Sequence, residues 1–171
     1  MPYKNSSHII SDCEETYRSL IEASLNPLVI ISFEGKITHA NEATVKIIGV
    51  PRTKLEGSNF FDYFTEPEKA RETYQEVFVK GSVLDAPLTV RSTAGILSQI
   101  LFNGSVYKDG KGNVLGAMVV ARDVTRQKHH EKELVDAKNA AERARITAEK
   151  NSESRQEILS NMSQAVRTPV N

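Results

Sequence analysis

The last twelve residues, SNMSQAVRTPVN, place Ser160, Ser163, Arg167 and Thr168 around Gln164. A serine-flanked helix ending in Arg-Thr-Pro is a setting in which a histidine accepts a phosphoryl group. An imidazole nitrogen has a free lone pair that can attack the γ-phosphorus of ATP. The nitrogen of a glutamine amide has its lone pair delocalised into the carbonyl and is a very poor nucleophile. The chain therefore carries the surroundings of an acceptor with an unreactive side chain at its centre.

Little else in the sequence could do chemistry. Cys13 is the single cysteine, which excludes an internal disulfide and a multi-cysteine metal centre. No cluster of carboxylates, histidines or cysteines has metal-ligand spacing, and neither a P-loop nor a Rossmann glycine motif occurs. Lys+Arg and Asp+Glu both total 22, so the formal net charge is zero, which argues against broad binding to nucleic acid or to an anionic membrane. The start, MPYKNSSHII, lacks the features of a signal peptide, and no apolar run is long enough to span a membrane. The expectation is a cytoplasmic, soluble protein.

The elements that would position these residues fall into two unlike parts. All 6 Phe, all 5 Tyr and all 9 Gly precede Arg126, whereas the remainder is rich in Ala, Glu, Lys and Arg. In the first part, DCEETYRSLIEAS has Tyr17, Leu20, Ile21 and Leu25 at helical spacing, predicting an amphipathic helix that stops before Pro27. LVIIS (28–32) and ITHAN (37–41) read as a hairpin around FEGK, followed by a short helix capped by Asn41 and closed by Gly49. FFDYF is a second short helical or turn-like segment. A longer helix follows at TEPEKARETYQEVFVKG, with Thr65 as its N-cap and Ala70, Tyr74, Val77 and Phe78 as its apolar stripe. Three strands complete this part, the last two joined through DGKGN. Strands segregated from helices predict an α+β fold with an antiparallel sheet and helices on one side.

That order, carried by SLNPLVIISFEGKITHANEATVKIIGVPRTKLEGSNFFDYFTEPEKA, by LFNGSVYKDGKGNVLGAMVVARDVT and by the closing DVT, resembles the PAS sensory domain over about residues 15–125. The resemblance implies a five-stranded antiparallel sheet cupping a small-molecule pocket, with signals passed through flanking helices. The cofactors known in that family can be tested against the residues. The helix over 66–80 offers no histidine as a haem ligand, and His39 reads as a solvent-facing or hydrogen-bonded strand residue. Cys13 precedes the domain, which argues against covalent flavin photochemistry and against a thioester-linked chromophore. The cofactor is thus unknown, with haem and covalent flavin disfavoured. A small apolar or mixed cavity lined from LVIIS, ILFNGSVY and LGAMVVA is expected, and the same residues serve equally as core packing.

From Arg126 to about Val166 neither proline nor glycine interrupts the chain, so one continuous helix is predicted. Steps of three and four from Leu134 reach Ala137, Ala141, Ala144, Ala148, Asn151, Arg155, Ile158, Met162 and Ala165. This seam has coiled-coil spacing but little side-chain bulk, and it predicts a weak, adjustable homodimer through 126–166.

SRQEILSNMSQAVRTPVN resembles the first helix of the dimerisation and phosphoacceptor domain of sensor histidine kinases, matching it at Asn161, Met162, Ser163, Arg167, Thr168, Pro169 and Asn171. The resemblance places the phosphorylated histidine at Gln164 and an acidic neighbour at Ala165. It divides the chain into a lead-in (1–14), a PAS domain (15–125), a signalling coiled-coil helix (126–154) and a truncated, degenerate acceptor motif (155–171). The expected function is a PAS sensory and dimerisation module of two-component signalling, with a pocket ligand and a downstream kinase or response regulator as partners. Without the acceptor histidine and an ATP-binding domain, the chain itself is expected to lack kinase activity. The alternatives are the front end of an active sensor histidine kinase, or a stand-alone regulator that forms mixed dimers with a kinase.

Overall fold

The computed structural model describes the backbone of residues 6–167 and the side chains of residues 12–164. Helix α1 (Ser6–Glu22) precedes a hairpin of β1 (Leu28–Ser32) and β2 (Ile37–Ala40). Helices α2 (Glu42–Ile48) and α3 (Arg52–Leu55), a 3-10 turn (Phe60–Tyr63) and α4 (Pro67–Lys80) then lead to β3 (Ser82–Arg91), β4 (Leu97–Lys108) and β5 (Val114–Asp123). The chain ends in one long helix, α5 (Thr125–Arg167). The described residues divide into two units, one ending at Thr125 and the other beginning at Arg126.

The five strands form one sheet in the order β2-β1-β5-β4-β3, and every pairing is antiparallel. The expected α+β architecture is therefore present. Ile31, Ile37, Leu55, Val77 and Phe102 are fully enclosed in the main core between the sheet and α2, α3 and α4. Enclosing each such side chain contributes about 1.5–3 kcal/mol. Alternate residues of β1 face the other way, where Leu28 and Ile30 pack with Ile21, Val120 and Tyr107.

Two glycines are fixed by geometry. Gly49 ends α2 at φ 76°, and its N–H reaches the Val45 carbonyl, an arrangement that favours a residue without Cβ. Gly116 sits where β5 crosses β1, and an added Cβ would lie 2.1 Å from the Ile31 carbonyl oxygen.

Three local expectations are revised. Helix α1 ends at Glu22, leaving Leu25 beyond it and almost fully exposed; of the expected stripe only Ile21 is buried, while Tyr17 and Leu20 face solvent. The stripe reaches the sheet only at the last turn, so its periodicity overstates its contact. Thr65 does not cap α4: the helix starts with Pro67 after Glu66, and Thr65 is turned to β3, its N–H (3.0 Å) and its hydroxyl (3.4 Å) both donating to the Thr89 carbonyl. Proline's fixed φ suits the first helical position, which sets the start without a side-chain cap. The buried face of α4 comprises Ala70, Thr73, Tyr74 and Val77, with Phe78 packed against its edge.

Candidate sensory pocket and output helix

Asn41 is fully buried and holds the elements around the pocket together. Its Oδ1 accepts from the backbone N–H of Leu28 (2.9 Å) and Thr44 (3.1 Å), and lies 2.9 Å from Thr44 Oγ1. Its Nδ2 lies 3.3, 3.2 and 3.0 Å from the carbonyls of Ile21, Ser24 and Asn26. One amide thus caps α2, anchors the start of β1 and fixes the end of α1.

Between sheet and helices is a cavity of about 30 Å³ lined by Pro27, Val29, Thr44, Ile47, Ile48, Phe60, Tyr63, Phe64, Val90, Ile100, Val119 and Ala121. Space of that size holds one or two water-sized groups. Its wall is apolar because the polar atoms beside it are already engaged. Thr44 Oγ1 lies 3.0 Å from the Leu28 carbonyl. Ser58 Oγ donates to the Leu55 carbonyl (2.6 Å), so Tyr63 is the donor in its 2.7 Å bond to Ser58. The arrangement suits a small apolar group, and anything larger has to displace side chains. β1, β4 and β5 contribute to the wall as the sequence indicates, but α2 and the 3-10 turn supply Thr44, Ile47, Ile48, Phe60 and Tyr63, which strand patterning alone could not reveal.

Tyr74 is a buried titratable side chain of the core, and its role is structural. The Tyr74 hydroxyl donates to the Ser32 carbonyl at 2.5 Å, and burial pushes its pKa far above the ordinary value. His39 is exposed, with Nδ1 3.3 Å from Thr38 Oγ1 and its ring edge-on to Tyr17. Cys13 is exposed on α1. Among the described residues no group of three His, Cys, Asp or Glu side chains could hold a metal ion by itself, and no helix is long and apolar enough to cross a membrane.

The closing Asp-Val-Thr pins the end of β5 to β4. Asp123 Oδ1 accepts from the Thr125 N–H (2.9 Å) and hydroxyl (2.6 Å), while Thr125 Oγ1 accepts from the Gln99 N–H (2.8 Å). A carboxylate at the first turn of a helix is also favoured by the helix dipole.

Helix α5 is continuous for 43 residues, about 65 Å at 1.5 Å per residue. The seam residues Leu134, Ile158 and Met162 are exposed, and Arg145 bridges Glu142 and Glu149 at 2.7 Å each. Near its start, Glu133 receives two histidines: Oε1 is 3.2 Å from His129 Nε2, and Oε2 is 3.4 Å from His130 Nδ1. Sequence reading passed over this group because the seam was counted only from Leu134. Gln164 lies on an exposed turn of α5, two positions after the seam residue Met162. The side chain of Ala165 and residues 168–171 lie outside the described residues, as does the Arg167 side chain.

A family model described as PAS fold matches residues 21–129, more than half of the chain. The cell-division control histidine kinase PdhS of Brucella anthropi is 28% identical over 164 residues, covering 95% of this chain and 15% of that kinase. The Brucella abortus protein of the same name is 28% identical over 159 residues, covering 92% and 15% of the two chains. The chain thus spans a small part of the curated relatives it matches. Among solved structures, a PAS domain from a two-component sensor histidine kinase superposes with TM-score 0.57 at 18% identity, covering 66% of this chain and 98% of that domain. A PAS domain from Colwellia psychrerythraea gives TM-score 0.61 at 14% identity, covering 67% and 99%. With its sheet, its helical wall and this match, the chain belongs to the PAS fold family.

Proposed function

We propose that this chain is the sensory and dimerisation module of a cytoplasmic two-component signalling protein, passing its signal through α5. The observation that carries this reading is the direct run of β5 through Asp123 and Thr125 into a continuous helix whose far end holds the acceptor-like sequence. Similarity to histidine kinases over 95% of the chain, beyond the PAS region alone, supports it.

In this reading, residues 15–125 sense, 126–154 transmit and 155–171 derive from an acceptor motif. Two copies pair in parallel through 126–166. The continuity of α5 extends the seam backwards in phase from Leu134 to His130 and Gln127. On that register Arg126 faces the partner's Glu131 and Glu133 faces the partner's Lys138, flanking pairs of opposite charge that favour parallel alignment. Leu134, Ile158 and Met162 are the large apolar seam side chains, each worth about 1.5–3 kcal/mol when enclosed. Association costs about 4–15 kcal/mol, so helix pairing sits near balance. An event in the pocket that favours one arrangement by about 1.4 kcal/mol then changes the populations tenfold. The pocket ligand is a small apolar molecule, and the downstream partner is a kinase or response regulator.

Gln164 stands at the acceptor position and Ala165 at the acidic one, so this chain takes no phosphate itself. A second reading, favoured by the small share of the kinases that it spans, is the front end of a larger histidine kinase. A stand-alone regulator would instead use the same helix to form mixed dimers with a kinase.

The test mixes the full chain with an intact histidine kinase similar to PdhS and γ-labelled ATP. No phosphohistidine is expected on the chain, whereas the Gln164→His variant should accept label at position 164. Label on a histidine of the unmodified chain would overturn the assignment.

A further inference from the structure

The first turns of α5 place two imidazoles around one carboxylate, and only one of the two lies on the helix seam. Counting back from Leu134 by four puts His130 on the seam, while His129 falls on the outer face. In a parallel pair, residues at this seam position meet their own copies across the interface. The two His130 rings would therefore face each other. Each ring has a carboxylate beside it: His130 Nδ1 lies at ion-pair distance, 3.4 Å, from Glu133 Oε2 of the same helix. That contact leaves Nε2 as the nitrogen available for coordination. A carboxylate on one imidazole nitrogen with a metal on the other is the usual outer-sphere arrangement of metal-binding histidines.

From this we infer that the beginning of α5 carries a divalent transition-metal site that forms only in the dimer. Resting on the parallel pairing proposed above, it names a ligand that regulates that pairing. The bridging ligands are the two His130 Nε2 atoms. Imidazole donors suit zinc, copper and nickel rather than magnesium or calcium. Glu131 flanks the same seam layer in the partner and offers an oxygen ligand, and water completes the shell. A single chain does not make the site. Among the described residues no group of three ligands can hold a metal, and the His129 and His130 rings stand 6.5 Å apart. Dimerisation doubles the donors, so metal binding and helix pairing become linked. Bound metal pulls together the two helices immediately after the Asp123–Thr125 junction, at the end of the seam nearest the sensory unit in sequence.

The experiment is sedimentation equilibrium of the full chain in EDTA and in free Zn²⁺. Ion linked only to the dimer tightens association about tenfold when present at about ten times the site's Kd. His130→Ala should abolish the response, read as the ratio of association with and without zinc in that same variant, and Glu133→Gln should raise the zinc concentration required by about tenfold or more. His129→Ala should retain the response. Equal association with and without zinc overturns the inference, as does a zinc response that survives His130→Ala or that builds only species larger than dimers. A separate variant keeps the two proposals distinguishable: Ala144→Cys in a Cys13→Ser background reports parallel pairing by disulfide formation in EDTA. Cross-linking without a zinc response overturns the metal site alone. Absence of cross-linking overturns the parallel pair and the site with it.

Discussion

Asn41→Ala should be among the most damaging single changes outside the aromatic core. It removes the cap of α2, worth about 1 kcal/mol. It also leaves the Leu28 N–H, which donates to Asn41 Oδ1 at 2.9 Å, without a partner in a buried setting. An orphaned buried donor costs about 1–3 kcal/mol. The expected loss is about 2–4 kcal/mol, a large share of the 5–15 kcal/mol typical of a domain. Asn41→Asp separates the two halves of the side chain. It keeps the acceptors for Leu28 and Thr44 but replaces the amide hydrogens that serve Ile21, Ser24 and Asn26 with a charged oxygen facing three carbonyls. That variant should lose at least as much stability and should free the end of α1 first. With 5 tyrosines and no tryptophan, urea unfolding followed by tyrosine fluorescence reports the PAS unit, because every tyrosine precedes Arg126. Hydrogen exchange at Ala23, whose N–H reaches the Ser19 carbonyl, follows the end of α1. A loss below about 1 kcal/mol for Asn41→Ala would refute the cap-and-anchor account, and an Asn41→Asp protein as stable as the wild type would refute the donor role.

Gly116→Ala forces a methyl group onto the Ile31 carbonyl in the pairing of β1 with β5; it should cost more than about 3 kcal/mol or prevent soluble expression, whereas Gly110→Ala, in open space, should be near neutral by the same unfolding assay. Tyr74→Phe should lose about 1 kcal/mol at pH 7 through the bond to Ser32. The wild-type phenol ionises near pH 10.0 when unfolded but at higher pH when folded, so its stabilising contribution is complete below pH 10.0 and fades above it. Stability measured from pH 9 to 12 should accordingly fall less steeply in Tyr74→Phe, and an unchanged slope would contradict the assignment. Thr125→Ala breaks the contacts to Asp123 and Gln99 and should raise hydrogen exchange at the Gln99 amide about fivefold or more, with Thr125→Ser restoring protection.

Local chemistry was the most legible part of the sequence. Asn41, Gly49 and DGKGN each dictate a backbone turn through neighbouring atoms, and each lies where that chemistry requires. Features that depend on distant atoms were harder to read. Thr65 resembles a cap until the Thr89 carbonyl claims its hydroxyl, and Tyr17 and Leu20 form a convincing stripe whose sheet contact is made only by Ile21. The pocket lay half in view, because strand alternation exposes β1, β4 and β5 but cannot show which face of α2 or of the 3-10 turn closes over them. Helix α5 followed from the absence of Gly and Pro, yet its start was missed as part of the seam because His130 interrupts an apolar pattern.

The central claim, that α5 pairs in parallel with its own copy, is tested most directly by pulsed electron paramagnetic resonance on the full chain with single spin labels. In a Cys13→Ser background, labels at Lys128 and, separately, at Ser163 sit on outward positions near the two ends of the helix. Two helices about 10–12 Å wide lying side by side in parallel bring each label near its own copy, within roughly 20–35 Å at both sites. The account predicts short distances at both ends. No dipolar coupling at either site would mean that the helix does not pair, and separations of roughly 50 Å at both would mean that it pairs antiparallel; either result contradicts the account.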